Sequence, residues 1–310
     1  MLGPGLAAFR GHLDELDRCR VTWCEVEKSR AVPARVERAL AGGATRILVW
    51  GGDGTVQHAI DALRDADPTK ISLGVMPAGT ANLFARNHGI PLDYDAALAV
   101  ALGANTRIVD VGSVNGERFG VMAGTGLDPS MIAGTSKRAK HRIGKLGYVI
   151  AGTKQMRKAA FDARIRVDGK DWFEGRVGCV LVGNVGTLFG GLQVFEHADP
   201  TDGLFDIGVI SATSLREWAK VFGKAIVASP DASPFVTCTR GTKVDVRLAQ
   251  KRPYELDGGA RKETRRLRSM SRPATRWVIR TGLLRRRRRT SRSRRRRRAS
   301  CASPSPRRAS

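Results

Sequence analysis

The chain has 310 residues, 42% of them hydrophobic, enough to bury the core of one large or two ordinary domains and to exclude global disorder. Lys and Arg total 54 against 29 Asp and Glu, for a net charge of +25. Sixteen of the arginines, and no lysine or acid, lie in Ser269–Ser310, and +25 less 16 leaves +9 for the first 268 residues. No apolar run reaches the roughly 18–20 residues of a membrane-spanning helix, and the start lacks the basic and apolar regions of a signal peptide. Cys19, Cys24, Cys179, Cys238 and Cys301 match neither a disulfide framework nor a zinc pattern, so a reducing cytosol is expected.

In chain order, residues 6–18 carry apolar positions at helical spacing, and Val21–Val26 predicts a strand. A helix over Ala34–Ala41 ends at Gly42-Gly43, and Ile47–Trp50 predicts a buried parallel strand bounded by glycines. A helix over Val56–Arg64, a strand over Ile71–Met76, a turn at Pro77 and a helix over Ala81–Asn87 follow. Asp93 caps one more helix, up to Gly103. Strand alternating with helix over residues 1–108 is the pattern of a doubly wound α/β unit.

The pattern changes after Ile108. Asn115-Gly116 and Asp168-Gly169 each lie between strand-like runs, as type I′ hairpin turns do. Leu204–Ile210 and Lys243–Ala249 alternate like half-buried strands, with helices predicted over Ile143–Lys158 and Leu215–Ala228. Residues 109–268 therefore predict a mostly antiparallel β domain. Residues 269–310, rich in Arg, Ser and Pro, predict a disordered tail, either a basic arm for anions or a solvated segment.

Two turns carry the chemistry. Gly51-Gly52-Asp53-Gly54-Thr55 follows a buried strand and opens a helix, so its backbone can approach a ligand closely while the helix start favours phosphate. Thr55 can cap that helix, and Asp53 projects into the cleft at the strand's carboxyl end. Pro77–Asn82, with Gly79 and Thr80, repeats the device after the next strand. Neither turn matches a Rossmann fingerprint or a P-loop.

Val49–Leu63 followed by Leu73–Pro91 resembles the catalytic domain of the diacylglycerol and sphingosine lipid kinases, in particular the soluble bacterial diacylglycerol kinases. The resemblance continues through Leu181–Gly191, His197–Ile210 and Tyr254–Arg268. It implies ATP-dependent transfer of the γ-phosphate to the hydroxyl of a lipid such as diacylglycerol, giving phosphatidic acid. The reaction would take place in a cleft between the α/β domain and a β-sandwich-like second domain. On that resemblance Gly51, Gly52, Asp53, Gly54, Thr55, Gly79 and Thr80 contact ATP. Asp202 holds Mg²⁺ with help from Asp199 and Leu204, in keeping with the preference of Mg²⁺ for hard oxygens. Asp257 is the expected general base, with Asp53 as the fallback, because several family members place a glutamate where this chain has Gly259.

Lys137–Lys158 carries nine basic residues, which read as a surface for anionic lipid headgroups or as a solvated helix face. The expected setting is the cytoplasm, peripheral to the inner membrane face, with no specific nucleic acid partner and with a homodimer compatible. Two departures stand out. The family's first strand, with its Asn-Pro-x-Ser-Gly turn, has no counterpart before the first helix, and the family register is expected to stop at Arg268. An NAD kinase-like enzyme, which shares the GGDGT turn, and an inactive anion-binding member of the fold are the alternatives.

Overall fold

The computed structural model describes residues 20–126, 160–188, 193–212 and 233–280, together with Gly11, Glu217, Trp218 and Val221. The expected helices over 6–18 and 143–158, most of that over 215–228, the basic stretch from Lys137 and the arginine runs beyond 280 lie outside the described residues.

The first part alternates as expected. Helix α1 (Val32–Ala41) has Pro33 in its first turn, where a missing N–H costs nothing, and stops at Gly43, whose φ of +83° suits glycine. Strands β1 (Arg46–Gly51) and β2 (Ser72–Pro77) pair in parallel from Arg46↔Ser72 to Gly51↔Pro77, with helix α2 (Asp53–Ala62) between them. Helix α3 (Leu83–Asn87) follows β2, and α4 (Tyr94–Leu102) starts where the Asp93 carboxylate accepts the Ala96 amide at 3.0 Å. Such a cap is worth about 1 kcal/mol.

The second part is antiparallel and built on hairpins. Strands β3 (Thr106–Val114) and β4 (Glu117–Phe119) turn at Asn115-Gly116, and β6 (Phe161–Val167) and β7 (Lys170–Val177) turn at Asp168-Gly169. Both turns have positive φ at each central residue, as a type I′ turn requires. β5 (Met122–Thr125), β8 (Cys179–Gly183), β9 (Phe205–Ile210) and β10 (Val236–Gly241) stand side by side. β11 (Lys243–Leu256) and β12 (Gly259–Arg280) close a third such hairpin at Asp257-Gly258.

Two expectations fail, each for want or gain of a strand partner. Val21–Val26 is not a strand. Among the described residues β1 pairs only with β2, and the extended segment instead rests Trp23 against Trp50, ring centroids 6.4 Å apart. Nor does the backbone register stop at Arg268, because β12 runs on to Arg280. There it pairs antiparallel with β3 and, at Val278↔Ser72 and Ile279↔Leu73, parallel with β2. The main path is therefore β1-β2-β12-β11-β5-β8-β9-β10, one sheet system to which both halves contribute. One core cluster packs Val49, Ile60, Phe84, Leu181 and Ile279 together; a second gathers Phe119, Ile165, Phe205, Ile207 and Leu256.

Candidate active site

The site lies at the carboxyl ends of β1 and β2. Gly52, not Thr55, is the N-cap of α2: its carbonyl accepts the Thr55 amide at 2.9 Å and the Val56 amide at 3.1 Å, and no side chain caps the helix. The helix thus begins three residues earlier than the apolar spacing suggests, with Asp53 in its first turn and Thr55 folded over Gly51. A methyl on Gly51 would lie 2.7 Å from the Thr55 side chain. The first amides of such a helix lack intrahelical partners and favour an anion.

The second turn meets the first at its backbone. A Cβ on Gly79 would stand 2.6 Å from the Gly52 Cα, so glycine at 79 is what lets the two turns touch. Asn82, in the left-handed region at φ 49°, accepts the Gly79 amide and donates to the Gly79 carbonyl, both at 2.8 Å. Asp53 accepts the Phe84 amide at 3.0 Å, tying the start of α2 to the first turn of α3. Gly54 and Thr80 are exposed at the mouth.

Asp257 lies within electrostatic reach of Asp53. Its backbone adopts φ 49° in the β11–β12 turn, and its carboxylate reaches back to a segment far away in sequence. Oδ1 accepts the amides of Val121 and Met122 at 2.9 Å each, and Oδ2 accepts that of Gly120 at 2.8 Å. The residue is 5% exposed. Burial pushes its pKa up to about 6 against the pull of those three amides, and the Asp53 charge adds to the rise. The two predicted acids are thus brought within electrostatic reach, but Asp257 spends most of its acceptor capacity inside the protein.

The predicted metal residues do not assemble into a cage. Asp202 turns Oδ1 to its own Leu204 amide at 3.0 Å and pairs Oδ2 with Arg240, so Leu204 donates its N–H here. Asp199 accepts the Thr201 amide at 3.0 Å and hydroxyl at 2.6 Å, with Arg107 at 3.5 Å. Among the described residues no group of three or more His, Cys, Asp or Glu side chains could hold a metal. These oxygens, facing a guanidinium, do not fit a bound Mg²⁺ as they stand.

Two residues absent from the predicted site connect it. Asp110 on β3, 1% exposed, accepts the Gly203 amide at 2.7 Å, while its own amide donates to the Pro200 carbonyl at 2.6 Å. Asn184, equally buried, donates to the carbonyls of Asp110 at 2.7 Å and Gly120 at 3.1 Å. Asp110 and Asn184 thus link the 199–204 loop through Gly120 to Asp257, while Asn82 holds the Gly79 turn. The visible signal for Asp110 was an acid inside the apolar run Ile108–Val111, where a buried charge needs a reason.

Residues 7–114 match the diacylglycerol kinase catalytic domain, and residues 121–274 match the YegS C-terminal NAD kinase beta sandwich-like domain. A Pseudomonas aeruginosa protein named "Probable lipid kinase YegS-like" is 32% identical over 240 residues, spanning 77% of this chain and 76% of its own. The chain belongs to the YegS-like and diacylglycerol kinase family of lipid kinases. A diacylglycerol kinase from Mycobacterium tuberculosis is 29% identical over 253 residues, covering 79% of this chain and 81% of that one. A solved Bacillus anthracis diacylglycerol kinase superposes with a TM-score of 0.64 at 22% identity over 84% of each chain, which bears out the α/β fold with its sheet-rich second part. No helix among the described residues is long and apolar enough to cross a membrane.

Proposed function

We propose that this lipid kinase takes the γ-phosphate of ATP, delivered as its Mg²⁺ complex, to the hydroxyl of diacylglycerol, giving phosphatidic acid. The observation that carries the reading is the backbone contact between the Gly51–Thr55 and Pro77–Asn82 turns, with Asp53 tied to the Phe84 amide and its charge reaching Asp257. Phosphoryl transfer asks mainly for positioning and charge neutralisation, and two apposed turns at a helix start supply a phosphate cradle. Gly51, Gly52, Gly54, Thr55, Gly79 and Thr80 line that cradle. We assign the acceptor hydroxyl to Asp53, which is partly exposed and has a single amide on Oδ1, and give Asp257 the role of fixing Gly120–Met122. The basic stretch Lys137–Lys158 is the surface we assign to anionic lipid at the inner membrane face.

The test is transfer of labelled γ-phosphate onto a panel of lipid alcohols in mixed micelles with Mg²⁺, with NAD included. Labelled phosphatidic acid that disappears in Asp53→Asn supports the reading; labelled NADP overturns it. A second reading, an inactive nucleotide-binding member, is favoured by Gly259 and the amide-saturated Asp257. It predicts tight ATP binding with no transfer to any alcohol.

A further inference from the structure

We propose that Arg240 is the resident cation of the 199–206 loop, standing where a divalent metal would otherwise sit, so that the loop is set without metal. Arg240 lies on β10 directly opposite Asp206 of β9, so strand pairing fixes its position before any loop contact forms. Its Nε stands 3.3 Å from Asp206 Oδ1, and its Nη2 pairs with Asp202 Oδ2. One planar guanidinium thus bridges a carboxylate of the loop and one at the start of β9, an arrangement that suits a planar fork of donors. The remaining oxygen of Asp202 is taken by the Leu204 amide, and Asp199 is turned to Thr201 and Arg107. A divalent ion approaching Asp202 would meet a permanent positive charge within hydrogen-bonding distance of the oxygen it needs, and the two repel.

The loop is also tied to the rest of the site. Gly203 donates to Asp110, and Asp110 joins Asn184, Gly120 and Asp257. Arg240 therefore acts as a positioning residue for the loop that Asp110 and Asn184 tie to Gly120 and Asp257. The proposal concerns a metal held by the protein itself and not the Mg²⁺ that arrives with ATP, so it is tested without nucleotide and without turnover.

Full-length, nucleotide-free protein is titrated with Mn²⁺, free Mn²⁺ is followed by electron paramagnetic resonance, and thermal unfolding is recorded in Mg²⁺ and in EDTA. The wild-type chain is expected to show no saturable Mn²⁺ site dependent on Asp202 and the same unfolding midpoint in both buffers. Arg240→Gln is expected to unfold several degrees lower in EDTA, to regain part of that loss in Mg²⁺, and to bind Mn²⁺ saturably. Adding Asp202→Asn to it should remove the binding. Saturable wild-type binding that Asp202→Asn abolishes overturns the proposal, and so does a folded Arg240→Gln chain that gains no site. Should Arg240→Gln not fold, the wild-type and Asp202→Asn titrations decide. No Asp202-dependent binding, with Asp202→Asn lowering the midpoint equally in Mg²⁺ and EDTA, supports the resident guanidinium.

Discussion

Asp257→Asn separates the ionisation of this carboxylate from its hydrogen bonds. Its pKa rises from 3.8 to about 6 in the fold because burial disfavours the charge. A raised carboxyl pKa means that the stability is fully present below the unfolded value and is lost as pH climbs through the folded one. The loss falls between about pH 4 and pH 6 and amounts to about 3 kcal/mol, at 1.36 kcal/mol for each pH decade between the two values. Asparagine keeps one carbonyl oxygen for Val121 and Met122 but turns an NH₂ toward the Gly120 amide, leaving a buried donor unmatched. That costs about 1–3 kcal/mol at every pH. The two effects nearly cancel at pH 7 and separate at pH 4.5. Urea unfolding of both proteins across that range should therefore show Asp257→Asn clearly less stable in acid and close to wild type at neutrality. Taking the difference matters, because the buried histidine His88 titrates in the opposite sense in an overlapping window and cancels only between the two proteins. Parallel stability profiles across the range would refute the buried-charge reasoning.

His88 is fully buried, packed 4.3 Å from the Phe84 ring, with neither ring nitrogen hydrogen-bonded; burial and then the Arg107 charge lower its pKa to about 3. Only the unfolded chain takes up the proton, so stability present above pH 6.5 is lost as pH falls, by up to about 5 kcal/mol. His88→Leu should be stabilising, more so at pH 5 than at pH 7.5 in thermal unfolding, and an equal shift at both would count against the assignment. Gly54→Ala meets nothing within 4 Å, so it should keep or slightly raise stability while weakening binding of a fluorescent ATP analogue. Gly79→Ala should lose both, because its methyl is driven into Gly52, at a cost of about 1–3 kcal/mol. Truncation after Arg280 should leave the unfolding midpoint in place. Truncation after Arg268 removes the strand paired with β2 and β3 and the buried Ile279, for a loss of about 3 kcal/mol or more in chemical denaturation.

The features legible in the sequence are those written by short-range physics. Asn115-Gly116 and Asp168-Gly169 form the hairpins their φ preferences demand, Asp93 caps its helix, and the two Gly-Thr turns end parallel strands. Where a neighbour distant in sequence decides, local pattern was blind. Val21–Val26 has the composition of a strand and, among the described residues, no partner to pair with. Residues 269–280 carry the composition of a tail, yet β2 and β3 offer them a ladder, and backbone hydrogen bonds do not depend on how polar the side chains are. The candidate site follows the same division. Asp53 sits where a five-residue motif puts it, whereas the environment of Asp257 is set by amides 135 to 137 residues away in sequence. The surroundings of Asp199, Asp202 and Leu204 follow the same division: the sequence shows a set of oxygens, and only the pairing of β9 with β10 brings Arg240 beside Asp202 and Asp206. The acids at the site have roles assigned by what the second half of the chain delivers to them. The environment of these acids is therefore exposed to substitutions on β10 and β12, which lie far from the Gly51–Thr55 turn in sequence.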